Sequence, residues 1–448
     1  MKTTQQSKRV VYTAQAYSNA ETVGTADGLT VFVPQMIVDE KAVVQLNHVK
    51  NGVAYGEVVK LLEASSQRKV PPCKNFGNCG GCALMHMDYS EQLVFKRNKV
   101  ANNLKKLGGL DVEVEPCVPS PKHLAYRNKL SLPVRGTVGN VQIGMYKQNS
   151  HEVVDSDECL LGAEWCKTLV RLFRNYLNDN KIVPYDENDF SGVVRHLVAR
   201  YVENQLLVVV VTNGAVNFDW KPLAKQLESA FPKFGLFVNQ NSLKNNVILD
   251  KTTKHLFGLK YIEGEHLGVK FRLRPDSFFQ VNDGVKDALY KKVQQLLDVS
   301  ETQVLVDCFS GVGILTNVLA SEKYQTVAVE IEPVAVQDAN EIAKLNNTPR
   351  LTNVCGDVNE ELPRIVEEHK GKVLSLVVDP PRKGLGEKIC DTILKAGFDN
   401  VVYVSCDSAT LARDLKTLCQ NYQIRYVQPW DMFPNTSQVE TIVCLRKQ

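Results

Sequence analysis

Two side chains near the end of this chain are suited to covalent chemistry on a ligand. Cys406 lies in Tyr403-Val404-Ser405-Cys406-Asp407, at the point where an apolar, strand-like run gives way to polar residues. A cysteine there reads as a nucleophile, because the thiolate is the reactive form and it needs access to a ligand. The competing reading is a buried cysteine that packs as a small hydrophobe. Glu440 follows a polar loop, Asp431 to Gln438, and precedes a final strand, Thr441 to Leu445. Alone it would be an exposed strand-edge acid; beside a nucleophile it becomes a candidate base.

A second group of reactive residues lies far upstream. Cys73, Cys79 and Cys82 bring three thiols into ten residues, with Gly80 and Gly81 letting the chain wrap tightly. Three near thiols and one distant thiol suit a four-iron, four-sulfur cluster, with a four-thiolate zinc site as the main competitor. Cys117, Cys159 and Cys166 are all available as the fourth ligand. The spacing differs from the C-x3-C-x2-C of radical enzymes, so radical chemistry is not expected.

The elements that must position Cys406 and Glu440 are legible in the last 170 or so residues, where apolar strands alternate with helical segments, the pattern of a doubly wound parallel sheet. The strands are Gln303–Asp307, Thr326–Glu330, Leu374–Asp379 and Asn400–Val404. The first ends in Asp307-Cys308-Phe309-Ser310-Gly311-Val312-Gly313, where Gly311 and Gly313 allow the backbone to approach a ligand, and such ligands sit at strand carboxyl ends. Glu330 closes the second strand, where a carboxylate can take a ribose diol. Asp357 closes a third, where an acid can take an adenine amine. Acids at three successive strand ends, without the third glycine of the dinucleotide fingerprint, favour S-adenosylmethionine over NAD. Asp379-Pro380-Pro381-Arg382 then holds a carboxylate rigidly at the same sheet edge.

The front of the chain is patterned differently. Short strand-like runs within the first sixty residues, separated by Gly, Asn and Asp, predict a small antiparallel barrel. Arg68-Lys69-Val70-Pro71-Pro72 reads as a linker, and a helix is expected from about Tyr89 to Leu107, closed by Gly108-Gly109. From about Ala125 to Lys270 strands mix with one helical segment around Trp165 to Asn178, without a clean period.

Of the 448 residues, 44% are hydrophobic and 23% charged, a soluble globular composition. The longest apolar runs, such as Leu206–Val211, fall far short of the ~20 residues of a membrane span, and Met1 to Val10 lacks the apolar core of a secretory signal. A cytoplasmic protein without membrane contact is expected, acting as a monomer, in which twelve cysteines serve as ligands, nucleophiles or core residues. The net charge of +3 divides unevenly: 33 basic residues face 26 acidic ones from Met1 to Lys270, and 20 face 24 thereafter. The basic front suits a polyanion such as RNA, with Lys96, Arg97, Lys99, Arg127, Lys129 and Arg135 as candidate phosphate contacts.

Taken together, Phe278-Phe279-Gln280-Val281-Asn282, Asp307-x-Phe-x-Gly-x-Gly313, Asp379-Pro-Pro-Arg382, Ser405-Cys406 and Val439-Glu440 resemble, in order and spacing, the RNA uracil-5-methyltransferases. The resemblance covers essentially the whole chain. It implies that Cys406 is the nucleophile and Glu440 the general base, and that Gln280, Phe309, Glu330, Asp357 and Asp379 surround S-adenosylmethionine or the target base. Resemblance to the iron–sulfur members, which act on 23S ribosomal RNA, selects Cys159 as the fourth ligand of a [4Fe-4S] cluster with Cys73, Cys79 and Cys82. It also likens residues 1–69 to a TRAM-type RNA-binding barrel and ranks Arg127 and Lys129 first among RNA contacts. The central, cluster-bearing α+β domain would comprise 70–89 and 119–270, and the Rossmann-like α/β methyltransferase domain 90–118 and 271–448. Large-subunit ribosomal RNA is the favoured substrate. Transfer RNA is the alternative, a cytosine-5 methyltransferase a second enzyme reading, and a non-catalytic RNA-binding assembly factor the reading from another class. The chain departs from the family in three places: Asp407-Ser408 replaces Asn-Pro after the nucleophile, Gln438 replaces a histidine before the Val-Glu pair, and Ile314, just after the glycine turn, stands where relatives are often polar.

Overall fold

The computed structural model describes residues 8–297 and 299–448. Met1–Ser7, which make up most of the stretch read above for a secretory signal and begin the TRAM-like segment, lie outside the described residues. Strands β1 (Arg9–Thr13), β2 (Ala16–Ser18), β3 (Glu21–Ala26), β4 (Leu29–Pro34), β5 (Lys41–Lys50) and β6 (Val53–Glu63) form one sheet in the order β1-β5-β6-β4-β3-β2. Alternation along them turns Val10, Tyr12, Val31, Val33, Ala42 and Val44 inward, as a half-buried strand demands. The sheet curls until β3 meets β1: a Cβ on Gly24 would lie 2.4 Å from the Thr13 carbonyl, so only glycine fits there. The Tyr12 hydroxyl donates to Thr22 across the same seam.

Helix α1 (Tyr89–Gly108) follows the cysteine segment. Asp88 caps it by accepting from the Ser90 amide, and Gly109 ends it in a left-handed turn. Its buried face includes Phe95, Lys96, Val100 and Leu104, and Val100 and Leu104 enter the core of the carboxy-terminal sheet with Val306, Leu376, Val401 and Leu415. Burial of each is worth about 1.5–3 kcal/mol, which fixes α1 to a sheet that begins some two hundred residues later.

The middle of the chain builds a second sheet from β7 (Lys129–Thr137), β8 (Asn140–Tyr146), β9 (Val153–Asp155), β10 (Val194–Val202), β11 (Gln205–Thr212), β12 (Phe234–Gln240) and β13 (Thr253–Gly258), ordered β13-β12-β11-β10-β7-β8-β9. Helices α2 (Glu164–Asp179) and α3 (Lys221–Ala230) pack against it. Burial on both faces explains why no period is visible here. All but one residue of β10 are buried, including Arg195, His196 and Arg200. A hairpin, β14 (Ile262–His266) and β15 (Val269–Leu273), then leads into the last sheet.

That sheet is α/β, as expected. After α4 (Asp283–Leu296), strands β16 (Val304–Cys308), β17 (Gln325–Glu330), β18 (Leu351–Cys355), β19 (Leu374–Val378) and β20 (Asn400–Ser405) run parallel. They alternate with α5 (Ile314–Leu319), α6 (Pro333–Leu345), α7 (Val358–Glu368), α8 (Glu387–Ala396) and α9 (Ser408–Leu418). β21 (Tyr422–Trp430) and β22 (Glu440–Lys447) complete the order β18-β17-β16-β19-β20-β22-β21, with β22 antiparallel to both neighbours. This reversal positions the site, because the amino end of β22 lies at the carboxyl edge of the parallel strands. Among the described residues no helix is long and apolar enough to cross a membrane.

Candidate active site

The register of β20 and β22 brings the two reactive residues together. Ser405 pairs with Thr441, so Cys406, one residue after, and Glu440, one residue before, face each other across the strand pair. Cys406 stays out of helix α9 because Asp407 caps it, accepting from the Ala409 and Thr410 amides at 2.9 and 3.0 Å. The departure at Asp407-Ser408 therefore has a local role: Asp407 opens the helix.

Glu440 is buried, 3% exposed, and its Oε2 has no hydrogen-bond partner among the described residues. Burial first and the Asp379 charge second push its carboxyl up to about 8, with the Arg382 guanidinium opposing. Cys406 is half-buried; burial, then Glu440 and Asp379, push its thiol up to about 12, again against Arg382. Asp379, at the end of β19, is raised to about 7 by burial and by Asp307. Asp307 is likewise raised to about 7 by burial, while a hydrogen bond from Thr316 at 2.5 Å pulls the other way. Three carboxyl groups and a thiol thus share one edge whose unmet need is positive charge.

The adjoining turn is shaped for a ligand. Phe309 (φ +66°) and Gly311 (φ +56°) adopt the left-handed conformation, and the Gly311 amide donates to Glu330 Oε2 at 2.9 Å. The other Glu330 oxygen accepts from the Glu332 amide. Gly313 (φ +76°) opens α5 with its Cα turned toward Ala339. Gln280 is buried, and its carbonyl accepts from Asn128 Nδ2 at 3.0 Å. Asp357 is exposed and caps α7 through the Asn359 amide, which with the Asn359 side chain lowers its pKa.

Sequence reasoning missed Tyr290 on α4, which is half-buried and whose hydroxyl feels the charges of Asp379, Asp307 and Glu440. No sequence signal separates it from the core residues Val285, Leu289 and Val293 of the same helix.

Cys73, Cys79, Cys82 and Cys159 line one cavity of about 50 Å³ with Arg127. All four are half-buried free thiols. Among the described residues, no three His, Cys, Asp or Glu side chains are grouped closely enough to hold a single metal ion. Arg127 was read as a phosphate contact, but its half-buried side chain turns to this cavity, where it feels Cys159 and Cys82, and its Nε is buried without a partner. Lys129 is also half-buried, and burial, then Arg200, lowers its pKa to about 8. The reading of Lys96 as a phosphate contact is corrected: its ammonium is fully buried in an ion pair with Asp431 and donates to the Phe433 carbonyl. Tyr89 donates to the same Asp431 at 2.8 Å.

A parallel sheet with a glycine turn and acids at successive strand ends, closed by an antiparallel hairpin, defines an S-adenosylmethionine-dependent methyltransferase. The tRNA (Uracil-5-)-methyltransferase family matches residues 88–448, and the chain belongs to that family. It is 35% identical to an uncharacterized RNA methyltransferase of Halalkalibacterium halodurans, covering 94% of this chain and 93% of the relative. Its identity to a Clostridium tetani protein of the same description is also 35%, over 96% and 94%. Among solved structures, the Pyrococcus abyssi tRNA (uracil-54, C5)-methyltransferase in complex with S-adenosyl-L-homocysteine matches with a TM-score of 0.77. Its identity is 26%, over 97% of this chain and 98% of that one. The protein is an RNA methyltransferase that uses S-adenosylmethionine.

Proposed function

We propose that this enzyme methylates carbon 5 of a uridine in 23S ribosomal RNA, with Cys406 as nucleophile and Glu440 as base. The observation that carries the chemistry is the Ser405–Thr441 pair of β20 and β22, which leaves Cys406 and Glu440 one residue beyond it at the same sheet edge, beside Asp379. Carbon 5 of uracil is too weak a nucleophile to take a methyl group directly. The Cys406 thiolate adds to carbon 6, making an enolate at carbon 5. The enolate takes the sulfonium methyl, and the donor's C–S electron pair stays on sulfur as S-adenosylhomocysteine departs. Glu440 then removes the carbon-5 proton, the carbon 5–carbon 6 double bond re-forms, and the cysteine leaves as thiolate.

The charges at the site assign an order to these events. Burial raises the Cys406 thiol to about 12, Glu440 to about 8, and Asp307 and Asp379 to about 7, so near neutral pH the thiol and Glu440 favour their protonated forms. A cationic donor among them favours every ionised form, so donor binding precedes thiolate addition. Gln280, Phe309, Gly311, Gly313 and Glu330 cradle the donor, Asp357 reaches its adenine edge, and Asp379 lies nearest the reacting atoms. The target base must be flipped from its stack at a cost of a few kcal/mol, least in a single-stranded loop.

The four cysteines are assigned to a [4Fe-4S] cluster. Three near thiols and one distant thiol around a single cavity suit such a cluster, with a four-thiolate zinc site as the competitor. When bound, the cluster supplies no redox step to methyl transfer; its four thiolates anchor the segment around it. Arg127 offsets their negative charge, and the amino-terminal barrel and Lys129 are assigned to RNA.

The test is incubation with labelled donor and unmodified ribosomal or transfer RNA, followed by nucleoside analysis. Label in 5-methyluridine from 23S RNA is the expected result. Label in transfer RNA alone would favour a substrate like that of the Pyrococcus enzyme. No 5-methyluridine from either would overturn the reading. Glu440→Gln should trap a covalent RNA adduct that Cys406→Ala abolishes.

A further inference from the structure

The loop that delivers Glu440 to the site is fastened at one residue. Asn435 is 5% exposed with φ +67°, and all four of its polar groups are engaged. Its carbonyl accepts from the amides of Ala83 and Leu84 at 2.9 and 3.0 Å, the two residues after Cys82. Its amide donates to Gln92 Oε1 at 2.9 Å while its Oδ1 accepts from Gln92 Nε2 at 3.2 Å, so the α1 glutamine grips both backbone and side chain. Its Nδ2 donates to the His123 carbonyl at 2.7 Å. The preceding carbonyl, of Pro434, accepts from the Tyr126 hydroxyl at 3.2 Å. Three segments remote in sequence therefore converge on a residue five positions before Glu440: the cysteine segment, α1, and the stretch leading to Arg127.

This convergence exceeds what a surface loop needs. A loop of this kind usually satisfies its backbone with water, whereas here a buried asparagine in a strained conformation, costing of order 1 kcal/mol or more, is retained by surrounding bonds. Glu440 itself has an unpartnered carboxyl oxygen and no side-chain hydrogen bond to hold it among the described residues. Its position is set through the backbone alone, by β22 on one side and by this loop on the other.

We propose that Asn435 is a positioning residue for the base: it fixes the approach of Glu440 to carbon 5 by tying the Glu440 loop to the backbone beside Cys82. The proposal rests on Glu440 acting as the base. It predicts a step-specific defect. Thiolate addition and methyl transfer depend on Cys406 and the donor cradle, on other strands, and proceed; proton removal, which depends on where Glu440 stands, slows. A residue that merely held the fold together would lower all steps in proportion.

Asn435→Gly keeps the positive φ and removes both side-chain bonds, and Gln92→Leu removes the grip from the helix side while leaving Asn435 intact. The measurement is a single turnover on RNA tritiated at carbon 5, with a carbon-14 methyl donor and Glu440→Gln run in parallel. In both variants methyl label should enter a denaturant-stable protein–RNA complex at close to the unmodified rate. Tritium release should fall about tenfold to a hundredfold, the range expected for a displacement near 1 Å. Unchanged tritium release, or release and methyl transfer slowed in equal proportion, would overturn the proposal. If Glu440→Gln accumulates the complex and the two variants do not, only the positioning role falls. If Glu440→Gln accumulates none, the base assignment falls and the positioning role with it.

Discussion

Replacing Glu440 by glutamine should make the protein more stable, and the gain should depend on pH in a defined way. The carboxyl is pushed from an ordinary 4.5 up to about 8, chiefly by burial. Below pH 4.5 both the folded and unfolded chains carry the proton, and the group's contribution is fully present. Between 4.5 and 8 the unfolded chain releases the proton while the folded chain keeps it, so stability falls by about 1.4 kcal/mol per pH unit. Above 8 the loss levels off at about 5 kcal/mol. Glutamine copies the protonated acid and has no such dependence. The gap between Glu440→Gln and the unmodified protein should therefore widen from pH 5 to pH 8 and stay constant above it. A multidomain chain does not unfold in one step, so the probe must be local. Three tryptophans are present, Trp165, Trp220 and Trp430, and Trp430 pairs directly with Glu440 on β21. In a Trp165→Phe, Trp220→Phe background, Trp430 fluorescence during urea unfolding at each pH reports the catalytic sheet alone. A gap of fixed size from pH 5 to pH 9 would refute the claim that Glu440 is held protonated by burial.

Three further outcomes are expected. Arg382→Ala removes the cation that lowers both the Cys406 and Glu440 pKa values, so turnover at pH 7 should fall and recover partly toward pH 9; a pH–rate profile that keeps its shape would contradict this. Lys96→Met leaves Asp431 buried without its ammonium partner and should cost about 3–5 kcal/mol, read by urea unfolding, a loss below 1 kcal/mol counting against it. Anaerobic purification should give a brown protein whose iron and colour are lost in Cys82→Ser; a colourless protein containing zinc would overturn the cluster assignment.

The catalytic sheet was legible because its central strands β16, β19 and β20 are buried along their whole length and stand out as apolar runs, with acids marking several strand ends. Glu330 and Asp379 sit at such ends. In the central sheet the apolar runs of β11 and β12 could be read, but β10 could not, because it carries Arg195, His196 and Arg200 inside its buried run and charges there mask a strand. The same assumption, that a charge lies in solvent, misread Lys96, which pairs with an aspartate 335 residues away. Asn435 gave no signal at all: its importance lies in bonds to three remote segments, and a lone asparagine in a polar loop looks like any turn residue.

Helix α1 carries a consequence for how the chain is made. Its partners, Asp431 for Lys96 and the strands that cover Val100 and Leu104, are synthesised long afterwards. At about 5–20 residues per second, Lys96 waits roughly 17–70 s for Asp431. During that interval an amphipathic, basic segment stands with its apolar face uncovered between a finished barrel and an unfinished enzyme. The catalytic sheet therefore closes onto a helix already in place, and nascent chains halted before β22 should expose α1 to chaperones and proteases.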